Sequence, residues 1–491
     1  VPGNRTTGAV KSFQSTVGLS ADGVVGPATK QAMRGYSSIN FTFKGSGWGH
    51  GVGLSQYGAK GLTELGANFC QNNASCTSEE VVKYYFQGTS VDALSNLQLS
   101  SPDIASSNNS LWVGLARNAK SIQVTTLPSS SPPTLFICQD GMTNTAGVQS
   151  FLTSRGFEPG PIDGAFGEKT ANALRSYQSS VGLNQSGSID DATLSKIKSE
   201  ASSDGPCESA FGKLKISGGA TVNLIYSNGG CYFTGHPLIN RQVSGCNISI
   251  SWSDGGRIRV GPREHKHGVL KLRSKNVSSG FHVSLAVNIE KYLYGLAEMP
   301  SHWNVKALEA QALVGRSYAV FQYLKQNIPA TQSDIDAGLS DSRKSYCWCH
   351  IGSTASSQYY YGYLKEIAGP NWVQAVNNTV GKVITYDGGY TQSSVIQAFY
   401  SSSTGGKTND NVVGFGSATP WPYLKTVDDP WSVDNRVGNS KAAWSYDFSS
   451  YQLAKNILCG DIPCFDSVTD IYVSSVAESG AALEITMKGY K

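Results

Sequence analysis

The sequence predicts an α+β protein, and three observations carry that prediction. Residues 283–289 are rich in Val, Leu and Ile, as a half-buried strand is, and strand-like patterning returns at 112–115, 121–125 and 213–225. Residues 305–324 contain no proline, and Leu308, Ala312, Tyr318 and Phe321 recur there at roughly helical spacing. A smaller all-α pattern places apolar residues at Val148, Phe151 and Leu152 and again at Ala173, Leu174 and Tyr177, with a Pro161, Ile162, Asp163, Gly164 turn between them. The expected architecture is a mixed, β-rich main unit containing one long helix, accompanied by small three-helix modules.

A length of 491 residues suggests about three domains. A hydrophobic fraction of 40% with 24 Tyr and 9 Trp is ample for packed cores, while 54 Gly and a charged fraction of 15% indicate a loop-rich, weakly charged surface. With a net charge of +4 and no long Lys/Arg run, a nucleic-acid partner is set aside. No apolar run is long enough to span a bilayer. Val1 begins inside a domain pattern with no signal peptide ahead of it, so a mature piece or fragment is expected. Ten cysteines, an even number, point to an oxidising compartment and secretion. Spacing offers the pairs Cys70 with Cys76, Cys231 with Cys246 and Cys459 with Cys464, leaving Cys138 and Cys207 to bracket one segment. Cys347 and Cys349, separated only by Trp348, are left as a disulfide or a thiol pair.

One module occurs twice. Residues 3–19 align without gaps on residues 167–183, and the second copy is complete from Val148. Its G-x-I-D-G-x-F-G-x-x-T run at 160–170 resembles the three-helix peptidoglycan-binding domain of type one. The first copy keeps DGVVGPAT at 22–29 and reads as the second half of such a module. The SSSPP linker at 129–133, with β-like patterning on both sides, makes the complete module an insertion in the main unit, its neck closed by Cys138 and Cys207. The expected boundaries are 1–36 for the partial module, 37–137 for the first part of the main unit, 138–207 for the insertion and 208–491 for the rest.

The stretch YLYGLAEMPSHWNVKALEAQALVGRSY, at 292–318, organises the main unit. Pro300 and Ser301 read as a helix start signal, which sets Glu298 just ahead of a helix entrance between Met299 and Trp303. Apolar neighbours raise a carboxyl pKa, as a general acid near neutral pH requires, whereas a helix N-terminus lowers it. The segment resembles the SpoIID/LytB family of peptidoglycan lytic transglycosylases at Tyr292, Leu293, Gly295, Glu298, Met299, Pro300, Trp303, Ala307, Leu308, Ala310, Gln311, Ala312, Arg316 and Tyr318. The resemblance implies that Glu298 is the catalytic acid and that Gln311 and Arg316 serve the substrate site.

Further stretches extend the resemblance. The glycine-rich FTFKGSGWGHGVGLSQYGAKG at 41–61 implies backbone needing positive φ or close approach, and it matches the family's second signature. The family sets that signature beside the catalytic Glu, lining the glycan groove, which assigns His50, Ser55, Gln56 and Tyr57 to substrate. YCWCHIGSTASSQYYYG, at 346–362, is similar to the family's cysteine-containing segment and matches its closing motif at Gln358, Tyr360 and Gly362. One family branch holds zinc through such a segment. Here Cys347, Cys349 and His350 stand farther upstream and fall one ligand short of a closed structural site, so no metal is expected, with zinc on these residues as the alternative. AFYSSSTGGKT at 398–408 is similar to a family loop whose hydroxyls, here Ser401, Ser402 and Ser403, suit hydrogen bonding to sugars.

The resemblance implies a secreted lytic transglycosylase that cleaves the MurNAc–GlcNAc linkage of peptide-stripped strands to 1,6-anhydroMurNAc ends, Glu298 acting as acid and then as base. Ordinary glycoside hydrolysis needs two carboxylates; this reaction needs one. The alternative is a non-catalytic peptidoglycan-binding protein or a modulator of a cell-wall amidase.

Overall fold

The computed structural model describes residues 4–35, 39–97, 111–128, 133–139, 144–162, 164–202, 213–216, 219–227, 230–236, 239–244, 247–253, 255–274, 280–326, 342, 346–388, 394–456, 458–459, 462–463 and 467–490. The chain divides into two compact units, Val1–Gly88 with Phe399–Lys491, and Thr89–Ala398. Helices and sheets mix in both, as an α+β chain requires.

The second unit is built on a sheet whose described strands run in the order Ile351–Gly352, Leu111–Ala119, Phe281–Val287, Val269–Arg273, Ile248–Trp252, Leu135–Gln139 and Lys213–Ile216. Phe281–Val287 and Ile248–Trp252 are buried at every position, because the sheet is covered on both faces there. Leu111–Ala119 leads directly into Ser121–Thr126, which pairs with Thr221–Ser227 in a second sheet. The Val305–Gln326 helix packs against Ile289–Tyr294, Pro370–Asn378 and Lys382–Tyr386 and touches Ile351–Gly352. Ala307, Leu308, Ala310, Ala312, Leu313, Val314, Ala319 and Val320 are all fully buried. A helix apolar on nearly every side belongs in a core.

Strands Leu135–Gln139 and Lys213–Ile216 pair antiparallel, Leu135 opposite Ile216 and Cys138 opposite Lys213. The three helices Asn144–Ser154, Glu168–Ser180 and Asp191–Ser202 therefore leave and re-enter the sheet through adjacent strands. Their core is Val148, Phe151, Leu152, Ala173, Leu174, Tyr177 and Ile197. A buried glutamine knots each of the first two helices to the turn after it. Gln178 Nε2 donates to Ser186 Oγ (3.0 Å), Ser188 O (3.2 Å) and Thr193 Oγ1 (2.8 Å), while Gly187 N–H donates to its Oε1 (2.8 Å). Gln149 does the same with Ala165, Thr170 and Gly164. In the first unit Gln14 repeats the knot with Asp22, Val24, Thr29 and Gly23, joining the Asn4–Thr16 and Pro27–Gly35 helices. The sequence repeat is thus a repeat of one hydrogen-bonding unit.

The first unit assembles from the two ends of the chain. Asn40–Gly45 pairs antiparallel with Trp444–Ser449, and Ser467–Val476 forms a hairpin with Ala482–Tyr490. Cys70 bonds to Cys76, and Cys347 to Cys349 in the second unit. Cys138 and Cys231 are also disulfide-bonded. Cys207, Cys246 and Cys464, named above as partners, lie outside the described residues.

Candidate functional site

Glu298 lies in a turn held from below by a short antiparallel contact. Leu296 bridges Tyr360, Ala297 N–H donates to Tyr359 O (2.9 Å), and Tyr361 N–H donates to Gly295 O (2.8 Å). Tyr359 N–H then donates to Glu298 Oε1 at 2.6 Å and fixes the half-exposed carboxylate. Residue 295 must be glycine, since a Cβ there would stand 2.4 Å from the Tyr360 ring. Side chains alternate along this strand-like run: Gln358 and Tyr360 are buried, while Tyr359 and Tyr361 are each 39% exposed with their rings stacked at 6.3 Å.

Beneath the turn, Tyr292 stacks on Tyr360 at 5.3 Å and donates its hydroxyl to Gln358 Oε1 (3.0 Å), while Gln358 Nε2 donates to Gly315 O (3.2 Å). His265 stacks on Tyr360 as well, at 6.1 Å. Burial, and then the charge of Arg263, push the His265 imidazole down to about 3, and neither ring nitrogen has a hydrogen-bond partner among the described residues. Lys365 Nζ donates to Met299 O (2.8 Å) and Ser301 Oγ (2.7 Å), pinning the Met299, Pro300, Ser301 turn. Burial lowers the Lys365 pKa, opposed by the nearby Glu298 charge.

Several sequence expectations are corrected here. The long helix starts at Val305, capped by Asn304, whose Oδ1 accepts from Lys306 N–H (2.9 Å), so residues 299–304 separate Glu298 from the helix entrance. Ser301 is occupied by Lys365 and does not cap that helix. Arg316 is completely buried: its guanidinium pairs with both oxygens of Glu290, at 2.9 and 2.7 Å, and donates to Lys382 O and Val376 O. It holds the helix against its neighbours and does not reach a surface. Gln311, Gln358 and Tyr360 are likewise interior. Sequence reasoning passed over Tyr359 and Tyr361, although the period-2 alternation that turns Gln358 and Tyr360 inward turns them outward.

Cys347 and Cys349 are bonded to each other and so present no thiolates, and His350 Nδ1 accepts from Trp112 N–H at 2.9 Å. Among the described residues no group of three or more His, Cys, Asp or Glu side chains is arranged to hold a metal.

In the first unit the glycine-rich stretch and the serine-rich loop form one layer. Trp48 and Ser403 exchange backbone bonds (2.7 and 3.2 Å), Leu54 and Ser55 pair parallel with Tyr400 and Ser401, and Tyr57 N–H donates to Ser402 O (3.0 Å). The fit demands glycine: a Cβ at Gly53 would stand 2.2 Å from Phe399 O, and one at Gly58 would stand 2.0 Å from the Tyr85 hydroxyl and 2.3 Å from Asp429 Oδ1. Asp429 is fully buried; burial raises its pKa, opposed by hydrogen bonds from Thr404, Ser55, Tyr85 and Ser432. Ser55 also caps the Gln56–Leu65 helix by accepting from Gly58 N–H (3.1 Å).

His50 is a locking residue in this layer. Its Nδ1 accepts from Val52 N–H (3.0 Å), and its ring packs on Phe415 at 4.8 Å. Burial lowers its pKa, opposed by a hydrogen bond to the Tyr400 backbone. Of the residues assigned to substrate in this unit, Ser55, Gln56, Ser401 and Ser403 are buried, while His50, Tyr57 and Ser402 are half-buried.

Comparison with known proteins finds two family matches. Residues 278–386 match the SpoIID family, described as Stage II sporulation protein, and residues 1–33 and 143–197 match a putative peptidoglycan binding domain. Stage II sporulation protein D of Bacillus subtilis (strain 168) is 28% identical over 174 residues, 34% of this chain and 45% of that protein. An uncharacterized protein of Brachyspira hyodysenteriae is 32% identical over 139 residues, 28% of this chain and 31% of that one. The amidase enhancer of Bacillus subtilis is 30% identical over 156 residues, 32% of this chain and 16% of that one. The chain thus spans less than half the length of each of these relatives. No solved structure matches it. The chain thus carries a region similar to SpoIID and two stretches similar to a putative peptidoglycan binding domain. No described helix is long and apolar enough to cross a membrane.

Proposed function

We propose that this protein is a secreted or wall-associated lytic transglycosylase that cleaves the MurNAc–GlcNAc linkage of peptidoglycan, and that Glu298 performs both proton transfers. The observation that carries the reading is a half-exposed carboxylate fixed by the Tyr359 N–H at 2.6 Å, with the outward faces of Tyr359 and Tyr361 beside it. With Oε1 held, the proton is assigned to Oε2. Glu298 gives it to the bridging oxygen, the C1–O bond breaks, and positive charge develops at C1. The carboxylate then takes the proton of the MurNAc C6 hydroxyl as its oxygen bonds to C1, which closes the 1,6-anhydro ring and restores the acid. No cofactor enters this balance.

The experiment is digestion of peptide-stripped glycan strands, with mass spectrometry of the products. Anhydro-ended products that disappear in Glu298→Gln support the proposal; reducing ends would indicate a hydrolase with a second carboxylate. A second reading, favoured by similarity to the amidase enhancer, is a peptidoglycan-binding modulator of a cell-wall amidase. It predicts intact strands, retained binding, and stimulation of an added amidase.

A further inference from the structure

Lys365 breaks a rule that its neighbours keep. It is only 9% exposed, and its Nζ donates to Met299 O (2.8 Å) and Ser301 Oγ (2.7 Å), with the Trp372 ring 5.8 Å away. Both acceptors are neutral. A buried ammonium is costly unless a carboxylate answers it, and none among the described residues stands at ion-pair distance from this one. Departures of this kind from local consistency are expected at functional sites.

The other charges around it are matched elsewhere. The Tyr363–Ala368 helix that carries Lys365 packs on Arg263–His265, Pro370–Asn378 and Ile289–Tyr294. On the strand, Glu264 pairs with Arg257 (3.1 Å) and Arg259 (2.9 Å), Arg263 donates to Ser353 O (3.2 Å), and burial holds His265 uncharged at neutral pH. On Ile289–Tyr294, Glu290 spends both oxygens on Arg316, Lys291 lies over the Tyr294 ring at 4.6 Å, and the Tyr292 and Tyr294 hydroxyls donate to Gln358 and Asn377. Pro370–Asn378 carries no charged residue. On the Lys365 helix itself, Glu366 meets His267 at 2.9 Å and Tyr363 faces Arg257 and Lys266. Among the described residues, the carboxylate that remains to act on Lys365 is Glu298, whose charge favours the ammonium where burial opposes it. Around Glu298 also lie the phenols of Tyr292, Tyr359 and Tyr361 and the solvent-exposed His302.

We propose that Lys365 is a positioning residue for Glu298: its ammonium is the counter-charge of that carboxylate and, through Met299 and Ser301, holds the turn that aims it. This inference rests on the reading of Glu298 as the proton carrier and adds how a single carboxyl group serves twice. When Glu298 gives its proton to the bridging oxygen, the negative charge left behind meets a cation already in place, with no reorganisation to wait for. Lys365 itself neither gives nor takes a proton.

The test titrates the Glu298 carboxyl by ¹³C NMR in the full chain labelled at glutamate Cδ, with Glu298→Gln identifying the resonance. It reads the charge contact whether or not the protein turns over. In Lys365→Met the midpoint is expected to rise by about 1 pH unit, because the lost cation favoured the carboxylate form. Lys365→Arg keeps the charge and is expected to hold the midpoint near the parent's. Ser301→Ala loosens the same turn but keeps the ammonium, so its midpoint is expected to stay where the parent has it. Digestion of stripped strands then gives the alkaline limb of kcat/KM, which requires the protonated acid. In Lys365→Met that limb is expected to move up with the midpoint, with kcat lowered about 10-fold and KM within about 2-fold. A midpoint unmoved in Lys365→Met, or moved as far by Ser301→Ala, overturns the inference. Thermal melts that coincide with the parent exclude misfolding, and where the Met variant melts early Lys365→Gln replaces it under the same expectations. Failure of the catalytic reading is separate: a parent protein that yields no anhydro ends, with the midpoint shift present in Lys365→Met, overturns the proposed function and leaves the counter-charge standing.

Discussion

At the scale of single residues, burial sorts the side chains around Glu298 into two groups. Gln358, Tyr360, Gln311 and Arg316 carry the motif but lie inside; Gln358 and Tyr360 support the turn from beneath, and Arg316 holds the long helix against its neighbours. Tyr359 and Tyr361 carry no motif and face outward. Because Tyr359 holds Glu298 through its backbone, truncating either side chain leaves the carboxylate in place. Tyr359→Ala and Tyr361→Ala are each expected to raise KM on stripped strands about 3- to 10-fold, the equivalent of roughly 1 kcal/mol of lost ring contact, with kcat nearly unchanged. Steady-state kinetics decide this. His265 makes a pH prediction. Its pKa is lowered from 6.5 to about 3 in the fold, so the unfolded chain takes up a proton that the folded chain does not. Stability is then complete above 6.5 and falls as pH drops from there towards about 3. His265→Phe keeps the stacking on Tyr360 and removes the titration, so its melting temperature is expected to decline less than the parent's between neutral and acid pH.

At the scale of elements, close approach does what hydrophobic pattern does not. The Gln56–Leu65 helix is capped by Ser55, and its first turn passes so near Tyr85 and Asp429 that only glycine fits at 58. Gly58→Ala is expected to cost about 1–3 kcal/mol by overpacking and to leave part of the Asp429 hydrogen-bond set unmade. Thermal denaturation monitored by circular dichroism measures it, and an unchanged melt would contradict the packing described. Helix type and extent were largely legible beforehand: the pattern at 305–324 became Val305–Gln326, and the module helices bury the apolar residues named in advance. The start of the long helix was not, because Asn304 and Ser301 are both competent caps and the choice was made by Lys365, more than sixty residues downstream, which binds Ser301.

At the scale of the whole chain, contacts of very long sequence separation dominate the first unit. Its ribbon joins residues 40–45 to 444–449, and its glycine-rich and serine-rich loops meet only when residues 46–58 reach residues 399–409. Pairings of this kind pay their loop-closure entropy before any contact forms, so this unit is expected to fold slowly and only once the C-terminal segment is present. The module at 144–202 is the opposite case, entering and leaving through paired strands. Replacing residues 140–211 with Asn-Gly, which closes a two-residue hairpin, and adding Cys138→Ala is expected to preserve the melt of the remaining chain. The same variant is expected to lower retention on insoluble peptidoglycan by at least several-fold while cleavage of soluble strands persists. Pull-down and product assays on one preparation report both.

The sequence by itself determined the α+β class, the repeated glutamine-bearing module, the position of the long helix and the choice of Glu298 as the residue to examine. These follow from local periodicity, turn chemistry and ordered motifs, which a chain displays without folding. Only the tertiary structure decided that Arg316 is interior, that His50 locks a loop through its backbone bonds, that Cys347 bonds to Cys349 and that Tyr359 and Tyr361 face outward. The burial of Arg316 and the outward turn of Tyr359 and Tyr361 depend on which distant segments arrive to pack there, and burial is a property of the assembled core and not of neighbours in sequence.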